Sequence, residues 1–141
     1  MKRVLDSSVG VKWVIPEKDS DKALQLRDDF LNKIVELVSP DIFLIEAAHA
    51  ITRAERQKRI TPAEGAKALT HLLTTAPDLL RYVPLLPRAY ELSSQFRIGV
   101  YDCLYVALAE HEKCDLVTAE SRLISSLGQH FPFIFDLATL P

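Results

Sequence analysis

Short apolar segments alternate with helical segments along the whole chain, and this alternation restricts the possible fold more than any other feature. The predicted strands are residues 2–5, 35–39, 79–83, 115–118 and 133–135. They show little alternation between apolar and polar residues, which is typical of parallel strands that are buried on both faces. The sequence therefore predicts an α/β fold with helices on both faces of a central, mostly parallel sheet of four to five short strands.

The segments between the strands have helical spacing of their apolar residues. The predicted helices are 7–15, 20–34, 41–59, 62–75, 87–96, 101–112 and 119–127. We expect Ser20 to be the N-cap of the second helix, and Thr61 to form a capping box with Glu64 at the start of the fourth. Gly128 is expected to end the last helix.

The composition is that of one soluble globular domain covering residues 1–141. No apolar run is long enough to span a membrane, and the basic N-terminus meets an acid too early for a signal peptide. We therefore expect a cytoplasmic protein whose two cysteines, Cys103 and Cys114, are reduced and do not bind zinc. The net charge of −2 means that any contact with nucleic acid must be local.

Two acids follow predicted strands at the edge where parallel sheets bind ligands. Asp6 comes directly after the first strand, and Glu120 comes shortly after the fourth. Asp6 could instead be a simple helix N-cap, and Glu120 could be an ordinary acid in a first helical turn. Each residue alone therefore leaves a structural role open.

Two further acids lie inside helical segments that are otherwise apolar. Asp102 lies among the apolar residues of 100–109, where a carboxylate needs a partner to keep its charge. Glu46 follows Ile42–Ile45 and is too far along its helix to be explained by the macrodipole, although an exposed stripe shared with Arg53 is the simpler alternative.

Four carboxylates in one place would repel one another, and a divalent cation would remove that repulsion. Oxygen ligands without convergent His or Cys favour Mg²⁺ or Mn²⁺. Two such ions about 4 Å apart could activate water for phosphodiester cleavage. The hypothesis is that Asp6, Glu46, Asp102 and Glu120 bind metal and hydrolyse a nucleic-acid backbone.

Two other patterns are weaker. Glu46 and His49 have the Glu-x-x-His spacing of di-iron helical bundles, but a second copy is missing and the strands argue against a bundle. One basic cluster follows Glu46 and could steer phosphate, or could be a solvated helix end. Its residues are Arg53, Arg56, Lys58 and Arg59.

Four segments together resemble the PIN domain, and in particular the VapC-type toxins of toxin–antitoxin pairs. The segments are 4–8 (VLDSS), 40–46 (PDIFLIE), 100–109 (VYDCLYVALA) and 116–123 (LVTAESRL). The resemblance spans almost the whole chain. It implies a three-layer α/β/α sandwich and a Mg²⁺- or Mn²⁺-dependent ribonuclease that cleaves RNA, forms a homodimer and is neutralised by a cognate antitoxin.

The resemblance also assigns roles to individual residues. Asp6, Glu46 and Asp102 match the three principal acids, and Ser8 and Thr118 match polar residues that support the metal site. Glu120 departs from the family, which usually has Asp there, and the longer side chain moves the carboxylate by about an ångström. Glu120 is therefore expected to assist, either directly or through a water molecule.

Two alternatives to a toxin stay open. The chain could be a PIN-type nuclease of RNA processing that has no antitoxin, or a PIN fold that only binds a partner. Independent support for a dimer comes from Trp13, Ile15 and Phe43, which could form exposed apolar surface or could belong to the core.

Overall fold

Five parallel strands form one sheet in the computed structural model, which describes all 141 residues. The strands are β1 (Lys2–Leu5), β2 (Glu36–Pro40), β3 (Asp78–Leu80), β4 (Asp115–Thr118) and β5 (Ile134–Asp136). Their order across the sheet is β3-β2-β1-β4-β5, and every neighbouring pair is parallel. The predicted parallel sheet is confirmed, with five strands.

Seven helices flank the sheet, and most lie where the sequence predicts them. They are α1 (Ser7–Val11), α2 (Ser20–Leu31), α3 (Phe43–Arg56), α4 (Pro62–Thr75), α5 (Leu86–Phe96), α6 (Val100–Glu112) and α7 (Ser121–Leu127). The capping box of α4 is present, since Glu64 N donates to Thr61 Oγ1 and Thr61 N donates to Glu64 Oε1. None of these helices combines the length and the apolar character that crossing a membrane requires.

Several predicted boundaries are wrong, among them the ends of α2 and α3, which are Leu31 and Arg56 and not residues 34 and 59. The third strand stops at Leu80 because the chain then turns into a short 3₁₀ helix, Val83–Leu85, which contains Pro84. The N-cap of α2 is Asp19, so Ser20 is the first helical residue; its hydroxyl accepts from Glu17 N at 2.8 Å instead. Helix α1 ends at Val11, four residues earlier than predicted.

The core is built around α6 and the middle of the sheet. Residues 103–109 of α6 are all buried, and the helix packs against β1, β2 and β4. A helix that is apolar on every side must be surrounded by protein. Asp102 therefore lies in the first turn of the most buried helix, where its side chain is half-buried.

Trp13, Ile15 and Phe43 belong to this core, so the alternative of an exposed apolar surface for dimer formation is wrong for them. They are 5%, 4% and 0% exposed, and Trp13 Nε1 donates to Ala23 O at 2.8 Å. The ring of Phe43 lies against Gly10, where an added Cβ would be only 2.4 Å from Phe43 Cζ. Gly10 thus lets α1 approach α3 closely, and this brings residues 6–8 near Glu46.

The order of the strands reverses between β1 and β4, which creates a binding edge at their carboxyl ends. Leu5 is paired with Val117, and Asp6 N donates to Val117 O at 3.1 Å. Connections from these two strands leave in opposite directions, which opens a crevice at this point in doubly wound sheets. Asp6 and Glu120 follow the two strands that border it.

Candidate active site

Asp6 lies at the end of β1 with its carboxylate held by two hydroxyl groups and one backbone amide. Ser8 Oγ and Thr118 Oγ1 both donate to Asp6 Oδ2, the latter at 3.1 Å, and Ser8 N donates to the same oxygen at 3.3 Å. The residue is only 3% exposed. Asp6 is therefore the N-cap of α1, as the simpler interpretation has it, but its environment is far more elaborate than a cap requires.

The two hydroxyl groups have their donor direction fixed by the backbone. Ala119 N donates to Ser8 Oγ and Glu120 N donates to Thr118 Oγ1, each at 3.0 Å. Because each hydroxyl oxygen already accepts a hydrogen bond from a backbone N–H, its own hydrogen is available to donate to Asp6. All three donors use Oδ2, so Asp6 Oδ1 keeps its lone pairs for a ligand.

Glu46 lies in the first turn of α3, because the helix begins at Phe43. The expectation that Glu46 lies too far along its helix for the macrodipole is therefore wrong. Its side chain is held by α6 and α1. Tyr105 OH donates to Glu46 Oε1 at 2.7 Å, and Ser7 Oγ donates to the same oxygen at 3.4 Å. Tyr105 is fully buried, and burial raises the pKa of its phenol well above 10, so the phenol stays protonated and donates. The alternative in which Glu46 belongs to a solvated stripe with Arg53 does not explain this buried donor.

Asp102 and Glu120 complete the group without direct hydrogen bonds to each other. Asp102 is half-buried in the first turn of α6, whereas Glu120 is exposed at the N-cap position of α7 and makes no capping bond there. Glu120 is therefore the acid with the greatest freedom to move.

All four acids line one cavity of about 910 Å³ at the carboxyl edge of the sheet. The lining also includes the polar residues Ser7, Ser8 and His49. Four charged residues, Lys12, Glu17, Arg53 and Arg59, lie at its rim. The structure thus brings together the four acids that the sequence singles out, together with cations from two separate segments.

The carboxylates are electrostatically strained in the absence of a cation. Burial, followed by the charges of Asp6, Glu120 and Glu46, raises the pKa of Asp102 to about 7, while Arg122 acts weakly in the opposite direction. Burial also raises the pKa of Glu46 and of Asp6, although hydrogen bonds from Tyr105 and from Ser8 oppose these shifts. Perturbed carboxyl groups that converge on a cavity are typical of functional sites.

The donor set fits a hard divalent cation in its chemistry. Every candidate ligand is a carboxylate oxygen, and a cation would relieve the repulsion that raises these pKa values. As placed, no three His, Cys, Asp or Glu side chains form a ready-made metal cluster. Mg²⁺ commonly uses one or two carboxylates and keeps several water molecules, so this arrangement suits a hydrated ion better than a fully protein-enclosed one.

The basic cluster divides into two parts. Arg53 and Arg59 line the cavity, whereas Arg56 and Lys58 do not. Sequence reasoning missed Lys12 and Tyr105. Tyr105 follows Asp102 by three residues, so helical spacing could have placed both on one side of α6, but its partner Glu46 is 59 residues away along the chain.

Comparison with known proteins places this architecture in a family. The model of the PIN domain matches residues 3–126, and the chain therefore belongs to the PIN-domain family. Its curated relatives are VapC ribonucleases. Ribonuclease VapC9 of Mycobacterium tuberculosis is 36% identical over 90 residues, which cover 64% of this chain and 68% of that relative.

Two further matches cover most of the chain. Ribonuclease VapC3 of Pyrobaculum aerophilum is 28% identical over 125 residues, or 87% of this chain and 92% of that protein. The crystal structure of VapBC2 from Rickettsia felis, bound to a DNA fragment from its promoter, matches with a TM-score of 0.63 at 18% identity, covering 96% of this chain and 98% of that one. The structural match supports the fold.

Proposed function

We propose that this protein is a Mg²⁺- or Mn²⁺-dependent endoribonuclease that acts as the toxin of a type II toxin–antitoxin pair. The observation that carries the proposal is the convergence of four carboxylates on one cavity in a PIN fold. Its relatives VapC9 and VapC3 are named ribonucleases, and VapC3 matches over 92% of its length.

Asp6, Glu46 and Asp102 are the residues that would hold the cation, and Glu120 would assist, either directly or through water. When bound, the cation would neutralise these carboxylates, polarise a phosphate oxygen and lower the pKa of a water molecule so that it can attack phosphorus. Hydrolysis then needs no covalent intermediate with the protein.

The supporting residues orient the acids. Ser8 and Thr118 hold the carboxylate of Asp6 through Oδ2, so Oδ1 would be available to a ligand. Tyr105 holds the carboxylate of Glu46 through Oε1. Such contacts hold the acids in place before the substrate arrives, which reduces the cost of reaching the reactive geometry.

Arg53 and Arg59 would attract the RNA backbone to the cavity, whereas Arg56 and Lys58 would contribute only to the wider field around the helix end. The overall charge of −2 gives no general affinity for nucleic acid. Binding would therefore depend on these local cations and on the metal.

A cognate antitoxin and a second copy of the chain are the proposed protein partners. Support for the antitoxin comes from the VapBC2 structure, which matches 96% of this chain. Analytical ultracentrifugation of the purified protein would test the dimer. Co-expression with the product of a short adjacent gene, followed by co-purification, would test the antitoxin.

The test of the enzymatic proposal is cleavage of RNA by the purified protein with Mg²⁺ or Mn²⁺ and with EDTA. Asp6→Asn and Asp102→Asn should each reduce cleavage to background, because each removes a carboxylate that would hold the cation. Asp21→Asn makes the same chemical change at an exposed position on α2 and should leave cleavage unchanged. Cleavage that persists in both active-site variants would reject the proposal. A folded protein that binds Mn²⁺ but cleaves no RNA would favour a binding module instead.

A further inference from the structure

The loop between α1 and α2 places Glu17 at the rim of the acidic cavity, between two cations. Lys12 Nζ lies 3.7 Å from Glu17 Oε1, and Arg59 Nη1 lies 3.4 Å from Glu17 Oε2. All three residues line the cavity that contains the four acids. Glu17 is therefore an additional carboxylate in an already acidic cavity. It forms ion pairs with two cations that could otherwise bind an anion from a ligand.

The two ion pairs of Glu17 are loose compared with the pair between Arg88 and Glu110. Arg88 binds Glu110 through two nitrogens at 2.7 and 3.1 Å, which is the bidentate geometry of a strong pair. Each contact of Glu17 is longer, and each involves a single nitrogen and a partly exposed carboxylate. The side chains of Lys12 and Glu17 are only 14% and 30% exposed. A long contact through a single nitrogen is nevertheless weaker than a bidentate pair, and the carboxylate can be exchanged for another anion.

The backbone of the loop does not depend on these pairs. Glu17 N donates to Ser20 Oγ at 2.8 Å, and Lys12 Nζ also donates to Lys18 O at 2.9 Å. The side chain of Glu17 can thus rotate away while the loop and Lys12 keep their positions. Lys12 would then remain at the cavity rim with no protein anion between it and Arg59.

We propose that Lys12 and Arg59 form a subsite for a backbone phosphate of single-stranded RNA, and that this phosphate displaces Glu17. The inference rests on the proposed ribonuclease function, since the subsite borders the same cavity. A phosphate offers the guanidinium and the ammonium group the same kind of acceptor oxygens as the carboxylate it replaces. Glu17 then acts as a competitor that weakens RNA binding and lowers the net positive charge of the rim when no RNA is present.

The experiment measures binding of a short fluorescein-labelled, mixed-sequence single-stranded RNA by anisotropy, with Mg²⁺ present. All proteins carry Asp102→Asn so that the RNA stays intact. Glu17→Gln should tighten binding roughly threefold, because the competing charge is gone. Glu91→Gln removes the same charge from the remote partner of Arg88 and should change affinity little. Equal effects of the two substitutions, or weaker binding by Glu17→Gln, would overturn the proposal.

A double substitution identifies the cation involved. Arg59→Gln should weaken binding, lower the slope of log affinity against log salt by about 0.7, and abolish the gain from Glu17→Gln. A gain that survives Arg59→Gln and Lys12→Met would contradict a phosphate at this subsite. Thermal unfolding of each variant confirms that it is folded. RNA cleavage by the chain without Asp102→Asn tests the ribonuclease proposal separately. If that chain is inactive but Glu17→Gln still tightens RNA binding, the ribonuclease proposal is rejected and the phosphate subsite is not.

Discussion

Tyr105 on α6 donates a 2.7 Å hydrogen bond to Glu46 on α3, and it does so from a fully buried position. The two residues lie on helices that are distant in sequence, so this contact fixes the acid of one helix against the core of another. A hydrogen bond to a carboxylate favours its charged form, and here it opposes the effect of burial on the pKa of Glu46.

Tyr105→Phe should therefore reduce Mn²⁺ affinity and RNA cleavage by roughly tenfold to a hundredfold, the range usual for residues that orient metal ligands. The ring is retained, so the core should stay packed. Isothermal titration with Mn²⁺ and initial cleavage rates measure the two effects. Tyr90→Phe removes a hydroxyl from an exposed tyrosine that is not among the residues lining the cavity. It should leave Mn²⁺ affinity and RNA cleavage unchanged. Unchanged Mn²⁺ affinity in Tyr105→Phe would show that Glu46 does not need this donor.

We expect Asp102 to make the stability of the metal-free protein depend on pH. Its pKa of about 7 lies above the value of about 4 for an unfolded aspartate, so the folded state binds more protons between these pH values. The free energy of unfolding should then fall as pH rises from about 4 to 7, by on the order of 2 kcal/mol after allowance for solvent screening. Urea unfolding at pH 5 and pH 8 in EDTA would measure the change.

Asp102→Asn provides the control for that pH dependence. The amide cannot ionise, so most of the fall in the free energy of unfolding between about pH 4 and pH 7 should disappear in this variant. Mn²⁺ should also restore stability to the unsubstituted protein at pH 8, because a bound cation stabilises the ionised carboxylates. An identical pH dependence in both proteins would show that other groups dominate it.

The fold was accessible from sequence because its signals are local. The capping box of Thr61 and Glu64 marks the start of α4, and the apolar run after Asp102 identifies a buried helix. The third strand was less accurately predicted, since its end depends on a 3₁₀ turn at Val83–Leu85 that apolar content does not reveal.

The site was only partly accessible from sequence. Asp6 and Glu120 are marked by strand ends, which parallel-sheet topology brings to one edge. Residues that contact each other across the fold have no local sequence signal of this kind. Tyr105 and Glu46 are 59 residues apart, and Glu17 and Arg59 are 42 residues apart. These contacts arise from the packing of α1, α3 and α6, which short-range patterns do not specify.

Thr118 links Asp6 to the start of α7 and is fully buried. Thr118→Val keeps the shape of the side chain, but it removes the donor to Asp6 and the acceptor for Glu120 N. We expect a loss of stability of about 1–3 kcal/mol and a reduced rate of cleavage, since a buried carboxylate loses one of its donors. Thr70→Val, at an exposed hydroxyl on α4 that donates to Ala66 O, is the matched control for urea unfolding. Equal stability of the two variants would contradict the role assigned to Thr118.

Tyr101 is 58% exposed and lines the acidic cavity, next in sequence to Asp102. An exposed aromatic ring at this position can stack on an RNA base, an interaction that contributes about 1–3 kcal/mol per base. Tyr101→Ala should therefore weaken RNA binding by roughly tenfold, whereas Tyr101→Phe should retain it. Tyr90→Ala, with a ring of similar exposure outside the cavity lining, should have little effect in the same anisotropy assay. If both alanine variants bind like the unsubstituted protein, Tyr101 does not contact a base.

Glu120 stands where the family usually has Asp. Its side chain is exposed and makes no hydrogen bonds to the other acids. A flexible glutamate can reach the cation only at an entropic cost, or can contact it through water. Glu120→Asp should therefore keep or increase cleavage, while Glu120→Gln should lower it less than Asp102→Asn does. Cleavage rates measured across a range of Mn²⁺ concentrations separate metal affinity from turnover. Complete loss of cleavage in Glu120→Asp would mean that the longer side chain is required and that the site has adapted to it.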